Sequence, residues 1–125
     1  TGVASGVLNY NLTSSTTYSM ASSSETQITG FNMTPVSGTY AVWFNARGTN
    51  TSGGATNGWV IYRNYTRVDD SYRTSRCYVN NADFVISTQT VCALDGATSI
   101  SVYVSRTGGT LNVYSRSLTL IRLGD

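Results

Sequence analysis

The sequence predicts an all-β domain, a sandwich or barrel of short strands. Three observations carry this. Apolar residues nowhere recur at the 3.6-residue spacing of a helix. Alternating segments are separated by clusters of Gly, Asn, Asp and Ser. Ser, Thr, Asn, Tyr and Gly, the residues of exposed β-surfaces, dominate, and Pro35 is the only proline. A length of 125 residues suits one domain, 1–125, with a real core.

In chain order, "TGVASGV" at the start reads as the end of an upstream stalk, and "LNYNL" and "TTYSMA" as short edge strands, so residues 1–27 hold one or both. A chain beginning at Thr1 reads as a processed product or an excised domain. "GTYAVWFNARG" (38–48) follows the turn-forming "TPVS" and alternates: Tyr40, Val42, Phe44 and Ala46 share one face, and Ala41, Trp43, Asn45 and Arg47 the other. "RGTNTSGGATNG" (47–58) reads as an exposed loop. "GWVIYRNY" (58–65) is a strand with large residues on both faces, and "VISTQTVCAL" (85–94) a strand closed by Asp95-Gly96. In "ISVYVSR" (100–106) Ile100, Val102 and Val104 face one way. "TGGT" (107–110) predicts a tight hairpin into "LNVY".

The last strand breaks alternation. Leu111 and Val113 share a face; further on, Leu118 and Leu120 lie on one face and Ile121 and Leu123 on the other. A β-bulge switches phase in this way. The reading preferred here is that both faces are covered, one by the domain's core and one by a neighbouring subunit.

Taken together these segments resemble a known family. Gly38, Tyr40 and Phe44 are similar to the Gly-x-Tyr-x-Phe-x-Phe/Tyr strand of the globular heads of the C1q and tumour-necrosis-factor superfamily, with Val42 in place of the middle Phe. Phe31 lies upstream as a family aromatic does, one residue further from the glycine. "ALDGATSISVYV" and "SRSLTLIRLGD" resemble the closing strands, with Asp95-Gly96 reversed and no Phe or Gly in "SRSLTL". The resemblance runs from about Ile28 to Leu123. It implies a jelly-roll sandwich of about ten strands that forms a homotrimer, with Tyr40, Val42, Phe44, Leu118 and Leu120 as candidates for the subunit interface. Family heads often cap a collagen-like or other trimeric stalk.

Catalysis finds little support. The chain has no His for acid–base work or metal binding, and no phosphate loop or zinc spacing. Asp69 and Asp70 are adjacent and would point to opposite faces of a strand, which does not suit paired catalytic carboxylates. They are the weak candidates for Ca²⁺, the one cofactor considered; turn chemistry explains them more simply. Eight Arg, no Lys and six acidic residues give a net charge of +2, which advertises neither nucleic acid nor a membrane surface. Cys77 and Cys92 are too few for a disulfide scaffold and read as free thiols, with a disulfide between them as the alternative that nothing in the spacing demands.

The unusual stretch is Tyr62 to Tyr78. It holds Arg63, Arg67, Arg73 and Arg76, half of the arginines, with Tyr62, Tyr65, Tyr72 and Tyr78. Tyr and Arg mixtures are typical of contact surfaces. Tyr62, Arg63, Tyr65, Arg67, Tyr72, Arg73 and Arg76 are therefore the candidate ligand-binding residues, with outward strand positions as the plain alternative. The function expected is a non-enzymatic, trimeric recognition or adhesion head on a fibre, as on a phage tail fibre or a bacterial collagen-like surface protein. It would bind a cell-surface saccharide or protein and sit outside the cell or on a virion. The alternatives are a structural trimerisation cap or virion/exosporium building block without a ligand, and a soluble cytokine-like receptor ligand.

Overall fold

In the computed structural model, which describes residues 9–124, the chain forms two antiparallel sheets facing each other. The strands are β1 (Asn9–Ser14), β2 (Tyr18–Met20), β3 (Thr26–Met33), β4 (Gly38–Asn50), β5 (Thr56–Arg63), β6 (Thr66–Arg67), β7 (Arg73–Arg76), β8 (Phe84–Leu94), β9 (Ile100–Arg106) and β10 (Leu111–Gly124). A single 3-10 turn, Asp69–Ser71, precedes β7. The first sheet runs β1-β10-β4-β8, with β2 also on β10; the second runs β3-β9-β5-β6, with β7 also on β5. Residues 1–8, where a stalk end is expected, lie outside the described residues. The expected edge strands at 8–12 and 16–21 appear as β1 and β2.

Alternation sets which side chains meet between the sheets. Tyr40, Val42, Phe44 and Ala46 of β4 face Trp59 and Ile61 of β5 and Ile100, Val102 and Val104 of β9 across the core. Aromatic rings cross the gap in a chain: Phe31 meets Phe44 edge-on at 6.0 Å, Phe44 lies 6.1 Å from Trp59, and Trp59 meets Phe84 at 6.0 Å. Each such ring buries about 150–250 Å² and anchors one sheet to the other. The indole of Trp59 keeps a polar partner, donating to Ser75 Oγ at 3.0 Å.

The break in the last strand is a bulge. Val113 pairs with Gly48 and Arg116 with Ala46, so three steps along β10 match two along β4. The extra residue turns Arg116, Leu118 and Leu120 inward behind Leu111 and Val113. Tyr40, Val42, Phe44, Leu118 and Leu120 are all fully buried in the chain's own core. This corrects their expected role as subunit-interface residues: the opposite sheet already covers them. A neighbour on this sheet would meet the outward positions of the same strands instead.

Two further expectations change. β9 and β10 do not pair; they lie in different sheets, and "TGGT" carries the chain across the end of the sandwich. Inward alternation in both strands fits an arch as well as a hairpin, and Gly109 (φ +64°) is required because a Cβ there would strike Asn50 Oδ1. The predicted loop 47–58 shrinks to 51–55, because β4 runs on to Asn50 and β5 starts at Thr56. Asn50 and Asn57 read as loop residues but are fully buried, joined by Asn50 Nδ2 donating to Asn57 Oδ1 at 2.9 Å. Cys77 and Cys92 are free thiols, as expected.

The bulge is fastened by a buried charge. Arg116 is 8% exposed, and its Nη1 donates to the carbonyls of Thr16 (2.7 Å), Val113 (3.2 Å) and Tyr114 (3.2 Å). Its guanidinium also lies over Phe31 at 5.3 Å and Tyr18 at 6.0 Å. Burial pushes the group below arginine's ordinary value. Loss of charged hydrogen bonds and packing predicts that Arg116→Ala lowers unfolding stability by about 2–4 kcal/mol, with Arg116→Met less affected. An unchanged urea midpoint for Arg116→Ala would show that the bulge holds without it.

β5 turns into β6 through Asn64 and Tyr65, both at positive φ (51° and 61°), with Arg63 paired to Thr66. This is a two-residue hairpin of the kind that favours Asn-Gly. A tyrosine there is strained. Tyr65→Gly is expected to raise stability by about 1 kcal/mol, read as a higher melting temperature. A lower one would refute the strain.

Candidate functional site

Seven residues between 62 and 76 were expected to form one ligand site, and the strand geometry divides them. Arg76 pairs with Thr56 at one end of β5, while Arg63 is at its other end. Seven steps of about 3.3 Å put those ends roughly 23 Å apart. Tyr65 sits at the hairpin tip beyond Arg63, 62% exposed. The Nε of Arg63 donates to the carbonyl of Ala93 at 2.9 Å, and Arg73 Nη1 to those of Asp70 and Tyr72, both at 2.8 Å. Arg76 stands beside Tyr78, 5.7 Å from the ring centroid.

Only Tyr62, Arg67 and Tyr72 come together, on the outer face of the second sheet. Alternation points Trp59 and Ile61 inward, so Gly58, Val60 and Tyr62 point out. Tyr62 stacks on Tyr103 of the neighbouring strand, centroids 3.7 Å apart and planes 17° from parallel. Its hydroxyl donates to Glu25 Oε1 at 2.5 Å. The other oxygen of Glu25 accepts from Arg67 Nε at 2.9 Å, and Arg67 Nη1 donates to Asp69 Oδ1 at 2.8 Å. The Arg67 guanidinium also rests 4.4 Å above the Tyr72 ring. Gly58 leaves room for Tyr72: a Cβ there would lie 2.9 Å from its hydroxyl. Partial burial, followed by the bond to and charge of Glu25, pushes the Tyr62 hydroxyl up to about 12.

This cluster is closed upon itself. Arg67 is engaged by two carboxylates and a ring, so its charge is spent inside the molecule. The arrangement clamps the β6-to-β7 excursion onto the sheet, and what it offers a partner is the aromatic surface. Tyr103 was visible as an outward position of β9. Glu25 was not visible at all, because 37 residues separate it from Tyr62. Asp69, a candidate calcium ligand, is the partner of Arg67, and Asp70 lies beside it in the 3-10 turn. Among the described residues no three His, Cys, Asp or Glu side chains gather as a metal site.

The outer face of the first sheet is built differently. The pairing aligns Ile121, Ala41 and Val91 in one row and Thr119, Trp43 and Gln89 in the next. Trp43 is 36% exposed. Around these lie Asn11, Asn45, Ser87 and Ser117, and the outward positions of β1, β4, β8 and β10 carry one charge, Arg47, which pairs with Asp83 at 3.4 Å. Beside Arg47 the bulge leaves a depression of about 630 Å³, lined by Asn45, Val85, Ser87, Ser115 and Ser117. A sheet face with an apolar centre and an uncharged surround suits contact with another protein surface.

No family model matches the sequence, and no curated protein matches it. Solved structures do share its fold. The structure of Eiger TNF from S. frugiperda is 12% identical, with a TM-score of 0.63 over 95% of this chain and 94% of that one. The T13 viral particle of infectious bursal disease virus is 12% identical, with a TM-score of 0.65 over 93% of this chain and 31% of that one. The VP2 subviral particle of the same virus is 15% identical, with a TM-score of 0.64 over 93% and 32%. The chain thus spans nearly the whole of the TNF and about a third of the viral chains. At these identities the likeness concerns the fold: this is an all-β sandwich of TNF-like jelly-roll topology.

Proposed function

We propose that the chain is a non-enzymatic head domain that assembles as a homotrimer and recognises a saccharide or protein on a cell surface, as part of a fibre or of a virion or cell exterior. The observation that carries this is the outer face of the β1-β10-β4-β8 sheet. It presents Trp43, Val91 and Ile121 around the buried Ala41, with a single peripheral charge, on a fold shared with a TNF. Copies of the same chain would cover that face without burying an unpaired charge. The leftover apolarity of Ile121, seen first as a break in alternation, falls on this side.

A second reading is a structural building block without a ligand. Its support is the likeness to proteins of a viral particle. The two readings share the assembly and differ only in whether a partner is bound.

Light scattering is expected to give three times the 13.4 kDa chain mass at micromolar concentration. Trp43→Arg places a charge in the proposed contact. It should weaken assembly at least about a hundredfold, while circular dichroism keeps the β-sheet signature. A wild-type monomer at that concentration, or a Trp43→Arg trimer of unchanged affinity, would overturn the assembly.

A further inference from the structure

Both ends of the described chain leave the sandwich on one side. Asn9 pairs with Ile121 and Gly124 with Thr39, all beside the start of β4, whereas Asn50 at the other end of β4 meets Leu111. At the opposite end three of the links lie together: residues 51–55, 77–83 and 107–110. Buried Asn50 holds them together. Its Nδ2 donates to Asn57 Oδ1 (2.9 Å) and to the carbonyl of Gly108 (3.0 Å), and its Oδ1 accepts from the amide of Ser52 (2.8 Å). Its own carbonyl accepts from the amide of Asn81 at 2.8 Å.

The 77–83 link is fixed on both sides. The Cys77 amide donates to the carbonyl of Ala55 at 2.9 Å, and the Cys77 carbonyl accepts from the amide of Gly54. The Cys77 thiol donates to the carbonyl of Val79 at 2.8 Å, and the amide of Gly53 donates to Asn80 Oδ1 at 2.6 Å. Between these anchors Tyr78 and Val79 stand in solvent, 80% and 62% exposed. Arg76 approaches the Tyr78 ring from one side. A backbone this constrained with side chains this open has already lost the entropy that binding would otherwise cost.

We infer that this end of the sandwich is a docking surface for a neutral saccharide, with Tyr78 as its stacking platform. The inference rests on the recognition reading and gives it a place and a ligand class. The three links are mainly Thr, Ser, Gly and Asn around one Tyr, with Ala55, Cys77, Val79 and Ala82 as their apolar residues; their single carboxylate, Asp83, is paired with Arg47. Amides and hydroxyls match sugar hydroxyls, and an exposed ring matches the C–H face of a pyranose. Arg76 against the ring steers it and donates hydrogen bonds. A protein partner fits less well. A standard interface takes about 800 Å² from each side, and one tyrosine with one valine supplies only a part of that. A charged glycan finds no unpaired cluster of arginines here.

The test uses the intact chain, isotopically labelled, titrated in NMR with chitotriose, lactose, maltotriose and mannotriose. At least one sugar is expected to shift amides of residues 51–54 and 77–83 in a saturable way. Tyr78→Ala should weaken that binding about tenfold or more, Tyr78→Phe should retain it, and Tyr65→Ala should leave it unchanged. Shifts mapping to a sheet face, no saturable shift with any of the four sugars, or full binding by Tyr78→Ala each overturn the inference. Light scattering on the same samples separates it from the assembly. Sugar binding by a monomer keeps the docking surface and removes the trimer; a trimer blind to all four sugars keeps the assembly and removes the docking surface.

Discussion

The inward register of β10 is the constraint on which the rest of the sandwich depends. β10 is the central strand of its sheet, paired with β1, β2 and β4. Shifting a strand by one residue exchanges its two faces. Without the extra residue between Val113 and Arg116, either Leu111 and Val113 or Leu118 and Leu120 would face outward. The protein resolves this with a bulge and then closes the bulge with Arg116, whose one guanidinium gathers carbonyls from the β1–β2 link and from the bulge itself. Burying a cation without a carboxylate partner is costly. The hydrogen bonds and the two rings beneath it compensate, and the cation fixes one geometry where apolar packing alone would accept several.

The fold class was legible because alternation is a local signal. Tyr40 to Ala46, Val85 to Leu94 and Ile100 to Val104 each declared a strand within a few residues, and the resemblance ordered them correctly enough to give the jelly roll. What alternation does not encode is which strand lies next to which. Ile100–Val104 and Leu111–Val113 are apolar on one side whether they pair directly or face each other across a core, so "TGGT" looked like a hairpin and is an arch. The same ambiguity misplaced Tyr40, Val42, Phe44, Leu118 and Leu120. Their apolarity was evident, but a sequence does not say whether the covering surface is the chain's own second sheet or another molecule.

The candidate site was legible in composition and not in geometry. The Tyr/Arg stretch does carry exposed aromatic surface, yet an eight-residue strand and a hairpin spread it over the whole length of the sandwich. Arg67 looked available to a ligand, because one of its two carboxylate partners, Glu25, is remote in sequence. Asn50 and Asn57 looked like solvent-loving loop residues because asparagine usually is. Their burial depends on satisfying each other, a pairing that no single-residue tendency reveals.

β8 ends the first sheet, and its features bear on the molecule's solution behaviour. Its register with β4 is unbroken over eleven residues, and it contains neither proline nor a charged side chain. Sheet-terminating strands usually carry lysine, proline or a kink that stops a stranger's backbone from adding on. β8 has none of these, and Val85 and Val91 stand exposed along it. A solitary copy is therefore sticky along that margin, prone to growing ladders with its own kind when concentrated, and best kept dilute until something covers the border.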